Sequence, residues 1–272
     1  MLAATALAIA ATAAPHVPAI HAHRGGSFVA GKATYAEATM PAFRAAARRG
    51  DVLELDIQMS ADGVPMVLHD DTLDRTTICT GLVSARTAAD IQAACPTDML
   101  GSPGSALGAK PTAQRAPVPT LDQVLALVKR TRSRASIELK QFDPDGASAT
   151  ALAAAIRRAG VPVTRIIVQS FFPPNLQAMA RALPGVATST LTLKQGEATS
   201  IASARSSGSV WVSPQWPVSK RYVDQAHAAG LKVVPYTLDR ASEVRAAARA
   251  GVDAIITDDP TMAARVLERR RK

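Results

Sequence analysis

Three carboxylates stand near the ends of two β-like runs of the sequence. Glu54 and Asp56 are two residues apart in the run Val52–Met59, so their side chains point to the same side of a strand. Glu138 occupies a similar place in the run Ser136–Lys140. Three carboxylates converging on one site would repel each other unless a cation lay between them, and all-oxygen ligands favour a hard divalent ion. We therefore predict one divalent cation, Mg²⁺ or Ca²⁺, held by these three side chains.

Two histidines and two basic residues are expected at the same strand ends. His23 follows the first predicted strand, and His69 ends a run that returns against the second. Imidazoles titrate near neutrality, so both residues are candidate proton carriers. Arg24 and Lys140 add fixed positive charge suited to a phosphate group. Together with the predicted cation, these groups indicate metal-assisted cleavage of a phosphodiester.

Such residues must be positioned by strands that end at one place. Short β-like runs alternate with Ala-rich helical stretches, and this alternation indicates parallel strands joined by helices. Eight strand–helix units make a (β/α)₈ TIM barrel, in which reactive groups cluster where the strands end. The predicted barrel strands are Pro18–Ala22, Val52–Met59, Ser136–Lys140, Arg165–Ser170, Val186–Leu191, Val210–Ser213, Lys232–Thr237 and Ala254–Thr257.

An extra β-hairpin and an inserted loop region interrupt this alternation after the second strand. Asp62 and Gly63 between two alternating runs are a strong hairpin signal. With a two-residue loop, Asp56 faces His69 on the same side of the hairpin. Residues 70–119 are too long for a simple connection and are rich in Gly, Ser and Pro. We interpret them as an insertion over one face of the barrel that could serve as a lid.

Short motifs along most of the chain resemble those of the glycerophosphodiester phosphodiesterase family. They run from about His21 to Pro260, in order and at plausible spacings. The motifs are His23-Arg24-Gly25, Glu37-Ala38-Thr39, Glu54-Leu55-Asp56, the stretch from Ser60 to Asp70, Leu73-Asp74-Arg75-Thr76-Thr77, Glu138-Leu139-Lys140, Gln169-Ser170-Phe171, Pro235-Tyr236-Thr237-Leu238 and the stretch from Gly251 to Pro260.

The resemblance implies a barrel enzyme that uses a divalent cation to hydrolyse glycerophosphodiesters to glycerol 3-phosphate and an alcohol. It implies that the three carboxylates hold the metal and that His23 and His69 act as general acid and base. Arg24 and Lys140 would grip the phosphate. Attack by the glycerol 2-hydroxyl and direct attack by water both remain open.

Two motifs depart from the usual form of the family. The usual Glu-Asn-Thr reads Glu37-Ala38-Thr39, which affects loop geometry and glycerol recognition, and the frequent Trp-Thr-Val-Asn is replaced by the four residues that begin at Tyr236. Tyr236 and Trp211, near late strand ends, are expected to line the alcohol pocket. Packing in the core is the alternative for both aromatic side chains.

The balance of charges bears on partners. The chain has 272 residues, with 31 basic against 22 acidic side chains and a formal charge of +9. Its basic clusters lie near predicted helix ends, where they complement the helix dipole, and no basic stripe is interleaved with aromatic residues. We therefore expect a small glycerophosphodiester substrate, no nucleic acid, no obligate protein partner and at most weak contact with a membrane surface.

The apolar runs and the N-terminal residues of the chain bear on membrane insertion and on export. After the first fifteen residues no apolar run approaches the ~20 residues that span a bilayer, which excludes a polytopic membrane protein. Residues 1–14 carry no charged side chain and contain a small-residue cleavage motif, so we interpret them as a signal peptide without a basic n-region, an Ala-rich helix being the alternative. Residues 15–272 then form a single phosphodiesterase barrel domain.

The chain has two cysteines, Cys79 and Cys95. An even number of cysteines agrees with export to the periplasm or the medium, and we predict a disulfide between them, two free thiols being the alternative.

Two other functions are kept beside the leading one. The first is a lipid phosphodiesterase of the lysophospholipase D or sphingomyelinase D kind, and the second is a phosphate-ester-binding barrel without turnover.

Overall fold

Strands and helices alternate around a barrel. In a computed structural model, which describes residues 16–194 and 196–269, eight parallel strands form a nearly closed barrel with helices between them. The strands are β1 (Ala19–Ala22), β2 (Val52–Met59), β3 (Ala135–Leu139), β4 (Ile166–Ser170), β5 (Ala187–Thr192), β6 (Trp211–Pro214), β7 (Lys232–Val233) and β8 (Ala254–Thr257). The barrel helices are α1 (Met40–Arg49), α2 (Leu121–Thr131), α3 (Ala147–Ala159), α4 (Pro173–Ala182), α5 (Glu197–Ser206), α6 (Lys220–Ala228), α7 (Ala241–Ala250) and α8 (Pro260–Glu268).

The predicted TIM barrel is therefore confirmed. The predicted signal peptide, residues 1–14, lies outside the described residues. None of the helices within the described ranges combines the length and the hydropathy needed to cross a bilayer.

The barrel closes between β7 and β8. All other neighbouring strands pair in parallel ladders, in the order β7-β6-β5-β4-β3-β2-β1-β8. Across the remaining gap, the backbone N–H of Asp253 donates to the carbonyl of Val233 (2.9 Å), and that of Ile256 donates to the carbonyl of Pro235 (3.0 Å). β7 is shorter than the predicted run 232–237, although the N–H groups of Val234 and Tyr236 still donate to the carbonyls of Val212 (3.0 Å) and Pro214 (3.1 Å). The regular ladder with β6 ends because Pro214 has no N–H to donate in return.

The helices pack their apolar faces on the outside of the sheet. Leu125 of α2 and Leu152 of α3 are fully buried in one cluster with Ile137 of β3. α2 completes the second strand–helix unit, and the sequence prediction did not include it. Its start carries a clear signal, since Thr120 and Gln123 form a reciprocal capping box.

The extra hairpin is present, with a different loop from the predicted one. β2 pairs antiparallel with the short strand Pro65–Val67. The N–H of Ser60 donates to the carbonyl of Val64 (3.1 Å), which leaves three residues in the loop rather than two. Gly63 in this loop has a left-handed φ of 73°, a backbone conformation that glycine adopts without strain.

The predicted register of this hairpin is wrong by one residue. Asp56 lies beside Leu68, whose N–H donates to the Asp56 carbonyl (3.2 Å), and not opposite His69. A shift of one residue reverses which side chains share a face, so the ladder alone would carry His69 away from Asp56. The short strand ends at Val67 and the chain then bends at His69, which returns its side chain to the same end of the barrel.

Residues 70–119, called here the crossover segment, connect this hairpin to α2. The segment contains a helix, Ala88–Ala94, and an antiparallel pair of short strands, Met99–Gly101 and Ala109–Pro111. Its buried apolar side chains form a cluster with Met66 and Leu68 of the hairpin, separate from the barrel helices. The predicted disulfide between Cys79 and Cys95 is present in this segment, with the two Cα atoms 5.2 Å apart. The role of the segment as a lid stays a prediction.

Candidate active site

Parallel pairing places the three predicted metal ligands together at the carboxyl ends of the strands. Asp56 of β2 lies beside Glu138 of β3 in the ladder, and Glu54 points to the same side two residues earlier. One ligand oxygen from each of the three carboxylates lies within 4.8 Å of the others. All three side chains are buried, with relative exposures of 2% for Glu54 and Asp56 and 6% for Glu138.

The three carboxylates do not ionise alike. Burial and the neighbouring charge of Asp56 raise the pKa of Glu54 to about 7. The same two causes, in the same order, raise the pKa of Glu138 well above its usual range. Burial also disfavours the charge on Asp56, but nearby cations, led by Arg24, outweigh it and lower the Asp56 pKa to about 2. The cationic side chains nearby therefore do not fully offset the negative charge that three ionised carboxylates would carry.

The donor set fits a hard divalent cation. Asp56 Oδ2 is a buried oxygen that accepts no hydrogen bond from the described residues, and buried Glu138 Oε1 has the Lys140 ammonium 3.1 Å away without a well-directed hydrogen bond. Buried carboxylate oxygens in native proteins are normally satisfied by donors or by a metal. Carboxylate oxygens without nitrogen or sulfur ligands suit Mg²⁺ or Ca²⁺ better than a softer metal.

His23 is held by a carboxylate from the neighbouring strand. β1 and β8 pair with Ala22 beside Thr257, so the next residues, His23 and Asp258, are brought together. His23 Nδ1 donates to Asp258 Oδ1 (2.7 Å). Burial lowers the pKa of His23, but the Asp258 charge and hydrogen bond outweigh burial and raise that pKa to about 9.

Asp258 itself ionises readily for the same reason. Burial works against its charge, but His23 lowers the Asp258 pKa to about 2. Asp239 accepts a hydrogen bond from the backbone N–H of Asp258 (2.8 Å), and burial with the Asp258 charge raises the Asp239 pKa to about 7. His23 is therefore favoured as a protonated imidazolium.

His69 is in the opposite state. Its Nδ1 lies 2.5 Å from Asp70 Oδ1, and its Nε2 lies 3.0 Å from Lys140 Nζ. Lys140 can only donate, so Nε2 accepts and Nδ1 carries the proton given to Asp70. Burial lowers the pKa of His69, and the charges of Arg24 and Lys140 lower it further. His69 is therefore favoured as a neutral imidazole.

Arg24 and Lys140 lie beside the carboxylates. Lys140 Nζ lies 3.1 Å from Glu138 Oε1 and 3.7 Å from Asp56 Oδ1, while Arg24 Nε lies 3.6 Å from Asp56 Oδ2. Arg24 has a left-handed backbone with φ 50°, and its N–H donates to Glu54 Oε2 (2.9 Å). The charged groups of Arg24 and Lys140 are thus held beside the candidate site for a divalent metal ion.

The turn that carries His23 and Arg24 depends on a glycine. Gly25 has φ 89°, and a Cβ at this position would come within 2.8 Å of the Ala42 Cβ of α1. Only glycine allows the turn to pack this closely on the helix.

These side chains surround a cavity of about 180 Å³. Two aromatic residues close its other side: Tyr236, whose hydroxyl donates to the Thr192 carbonyl (3.0 Å), and Phe171, whose ring meets that of Tyr236 edge-on. The cavity is lined by His23, Arg24, Glu54, Asp56, His69, Glu138, Lys140, Gln169, Phe171, Leu191, Tyr236, Thr237 and Ile256.

Trp211 is not part of this cavity, which corrects its predicted place in the alcohol pocket. It is the first residue of β6, so it lies at the end of the strand opposite to the site. Its ring is buried against Ile167, Val234 and other strand residues, with Lys232 Nζ over the ring 5.2 Å from its centre. Trp211 therefore belongs to the core, the alternative that its sequence position had left open.

Sequence reasoning missed several residues that hold the site together. Gln169 of β4 donates through Nε2 to Glu54 Oε1 (2.7 Å), and Glu37 accepts from Arg24 Nη1 (3.2 Å). A signal existed for Gln169 and Asp258, since both are polar residues at or just after a barrel strand. Glu37, Asp70 and Arg75 stand in motifs quoted from the sequence, but nothing in those motifs indicates that the three side chains contact one another.

The fold and the site together define a (β/α)₈ barrel with a buried cluster of three carboxylates, suited to a divalent cation, beside two histidines. The chain belongs to the glycerophosphoryl diester phosphodiesterase family, whose sequence model matches residues 23–262. A glycerophosphodiester phosphodiesterase of Caldanaerobacter subterraneus is 29% identical over 248 residues, which cover 88% of this chain and 93% of that protein.

Solved structures give the same answer. The crystal structure of a glycerophosphodiester phosphodiesterase from Agrobacterium tumefaciens shares 28% identity, with a TM-score of 0.70 over 91% of this chain and 99% of that chain. An Oleispira antarctica phosphodiesterase, solved in complex with the product sn-glycerol-3-phosphate, has the same fold, with a TM-score of 0.77, 21% identity and coverage of 93% and 97%.

Proposed function

We propose that this protein hydrolyses glycerophosphodiesters to glycerol 3-phosphate and an alcohol with the help of one divalent cation, Mg²⁺ or Ca²⁺. The observation that carries the proposal is the cluster of Glu54, Asp56 and Glu138, whose ligand oxygens lie within 4.8 Å of one another beside two histidines. Family membership and the activity named for the Caldanaerobacter relative support the same reaction.

The three carboxylates are the proposed cation ligands. A divalent cation bound there would polarise the phosphoryl oxygens and offset their negative charge. Arg24 and Lys140 would bind the remaining phosphate oxygens, because both cations lie beside the cluster and line the cavity.

The two histidines are proposed to carry protons in opposite directions. Neutral His69 presents Nε2 as an acceptor, so it is suited to take the proton of the attacking hydroxyl group or water. Asp258 favours the protonated form of His23, which is suited to give a proton to the departing alcohol oxygen. Tyr236 and Phe171 would form the apolar wall that faces the substrate.

A substrate panel assayed with and without each cation tests this proposal. We expect release of glycerol 3-phosphate from glycerophosphocholine and related diesters, loss of activity in EDTA, and recovery with Mg²⁺, Ca²⁺ or Mn²⁺ added singly. A substrate without the glycerol 2-hydroxyl separates the two modes of attack, because it can react only with water. Binding of the diester without any release of glycerol phosphate would contradict the proposal and favour the non-catalytic barrel.

A second candidate substrate is a lysophospholipid. Phe142, in the loop after β3, is 57% exposed, and its ring centre lies 5.5 Å from that of Phe172 after β4. Both loops are at the end of the barrel that carries the site, so the two rings could contact an acyl chain or a membrane surface. Faster turnover of lysophosphatidylcholine than of glycerophosphocholine would favour this alternative.

Export from the cytoplasm is also part of the proposal. A disulfide between Cys79 and Cys95 fits an oxidising compartment, and residues 1–14 have the composition of a signal peptide. Detection of the protein in the periplasm or medium, with its N-terminus near residue 15, would support export. Recovery of the full-length chain from the cytoplasm would contradict it.

A further inference from the structure

Arg75 uses every donor of its guanidinium group. An arginine side chain has five N–H groups. Nε donates to Asp70 Oδ2 (2.6 Å), and Nη2 donates to Asp70 Oδ1 (3.1 Å) and to Glu37 Oε1 (2.8 Å). Nη1 donates to Glu37 Oε2 (3.1 Å) and to the carbonyl of Pro103 (2.7 Å). The guanidinium thus grips two carboxylates side by side, a geometry that an ammonium group does not reproduce.

One of these carboxylates, that of Asp70, also contacts His69, the proposed general base. The Asp70 oxygen that accepts from Arg75 Nη2 is also the oxygen that meets His69 Nδ1 (2.5 Å). The other imidazole nitrogen, Nε2, lies 3.0 Å from Lys140 Nζ at the cavity. Arg75 itself is not among the described residues that line the cavity, so its effect on the reaction passes through its carboxylate partners, and Asp70 is the one that contacts His69.

The other carboxylate anchors Arg75 to the barrel. Glu37 is 3% exposed and also accepts hydrogen bonds from Arg24 Nη1 (3.2 Å) and from the hydroxyl of Ser102. Ser102 and Arg75 both belong to the crossover segment, whereas Glu37 precedes α1. The buried carboxylate of Glu37 therefore anchors Arg75 of the crossover segment to the barrel.

We propose that Arg75 is a positioning residue, which acts through Asp70 to hold His69 in one tautomer and one orientation. With its two oxygens fixed by Arg75, Asp70 presents one of them to His69 Nδ1, and this keeps the proton on Nδ1 and the lone pair of Nε2 toward the cavity. The crossover segment thereby contributes to catalysis without supplying a group that touches the substrate. This inference rests on the proposed function, in which His69 is the base.

Kinetics of Arg75→Ala and Arg75→Lys in two backgrounds test the inference. Hydrogen-bond partners that orient metal-bound histidines typically contribute about 10–100-fold to activity, and we expect an effect of the same order for the partner of His69. We expect Arg75→Ala to lower kcat by about this factor while KM changes little, and Arg75→Lys to recover part of the loss by holding Asp70 alone. In a His69→Ala background, Arg75→Ala should cause no further loss of kcat, because there is no imidazole left to orient.

A spectroscopic measurement makes the test independent of activity. Imidazole ¹⁵N shifts distinguish the Nδ1–H from the Nε2–H tautomer, and the His69 signals are identified by their absence from His69→Ala. We expect the Nδ1–H form in the unchanged protein and a mixture of tautomers in Arg75→Ala. Arg86→Ala is the matched control, since Arg86 lies in the same segment and, among the described residues, its side chain bonds to exposed Asp90 alone (3.0 Å).

The outcomes separate this inference from the proposed function. An unchanged protein that cleaves no glycerophosphodiester contradicts the proposed function, and the ¹⁵N shifts still decide the positioning role. An equal loss of kcat in both backgrounds, an effect on KM alone, or an unaltered His69 tautomer in Arg75→Ala overturns the positioning role alone.

Discussion

The two histidines of the site are held by two different parts of the molecule. His23 is fixed by the barrel, because the pairing of β1 with β8 sets it beside Asp258. His69 leaves a short strand and is fixed by the crossover segment, through Asp70 and Arg75. The side chain of His69 is also more exposed, 30% against 16% for His23.

The difference in support leads to a difference in chemistry. A partner held by a ladder can be buried with its histidine, and the buried Asp258 favours the imidazolium form of His23. The segment instead pairs Asp70 with Arg75, which offsets its charge, while Lys140 faces the other ring nitrogen. One site thus favours one charged and one neutral imidazole, as the proposed general acid and general base require.

Replacing each histidine is expected to have the largest effect. His23→Ala and His69→Ala should each lower kcat by about 10²–10⁴-fold, the range for general acid–base catalysis. The loss in His23→Ala should shrink for a diester with a good leaving group such as nitrophenol, whereas the loss in His69→Ala should not. His227→Ala, at an exposed histidine paired with Asp253, is the control. The reverse dependence on the leaving group would exchange the two roles.

The site residues that the barrel strands position could be predicted from the sequence. Alternation along β2 puts Glu54 and Asp56 on one side, and parallel strands end at one place, so the carboxylate cluster followed from local pattern. The register of the hairpin did not, because a loop of two and a loop of three residues both suit Asp62-Gly63. The one-residue error reversed the expected position of His69 relative to Asp56.

The contacts through which the crossover segment holds His69 could not be predicted in detail. Arg75, Glu37 and Asp70 meet across 38 and five positions of sequence, and nothing in the local pattern of each residue names its partner. Trp211 shows the converse problem. An aromatic residue at the start of a strand and one at its end look alike in sequence, yet only the latter can reach the site.

Core substitutions in the two regions test whether they unfold together. Leu152→Ala in α3 and Ile91→Ala in the crossover segment both truncate fully buried side chains, and each should cost about 2–5 kcal/mol. Because Ile91 lies in a separate small cluster, we expect its substitution to speed proteolysis of the segment and to leave the urea unfolding of the barrel unchanged. Leu152→Ala should lower the barrel midpoint. Equal shifts of a single transition would show one cooperative unit.

Removal of the disulfide probes the segment alone. The bond spans 16 positions of sequence, and opening a loop of this size costs about 3 kcal/mol in the chain-entropy model. We expect Cys79→Ser with Cys95→Ser to increase proteolysis of the segment and to lower activity on warming before the barrel unfolds. Dithiothreitol should have the same effect on the unchanged protein and none on the double variant. Equal heat resistance of both proteins would contradict this expectation.

The smallest effect is expected from the pH dependence of the His23–Asp258 pair. The pKa of His23 is raised to about 9, so its contribution to stability is complete below the ordinary value of 6.5 and is lost as the pH rises through about 9. The pKa of Asp258 is lowered to about 2, so its contribution is present above 3.8 and is lost as the pH falls toward 2.

Asp258→Asn should therefore be most destabilising between these limits, by about 1.5–3 kcal/mol for a hydrogen bond to a charged group. Thermal unfolding in EDTA from pH 4 to pH 10 measures the difference from the unchanged protein, with cation binding removed from both. The difference should narrow above pH 6.5 and nearly vanish past pH 9, because the folded and unfolded chains then both hold a neutral His23. A difference that stays constant to pH 10 would mean that Asp258 stabilises the barrel by packing and not by holding the imidazolium.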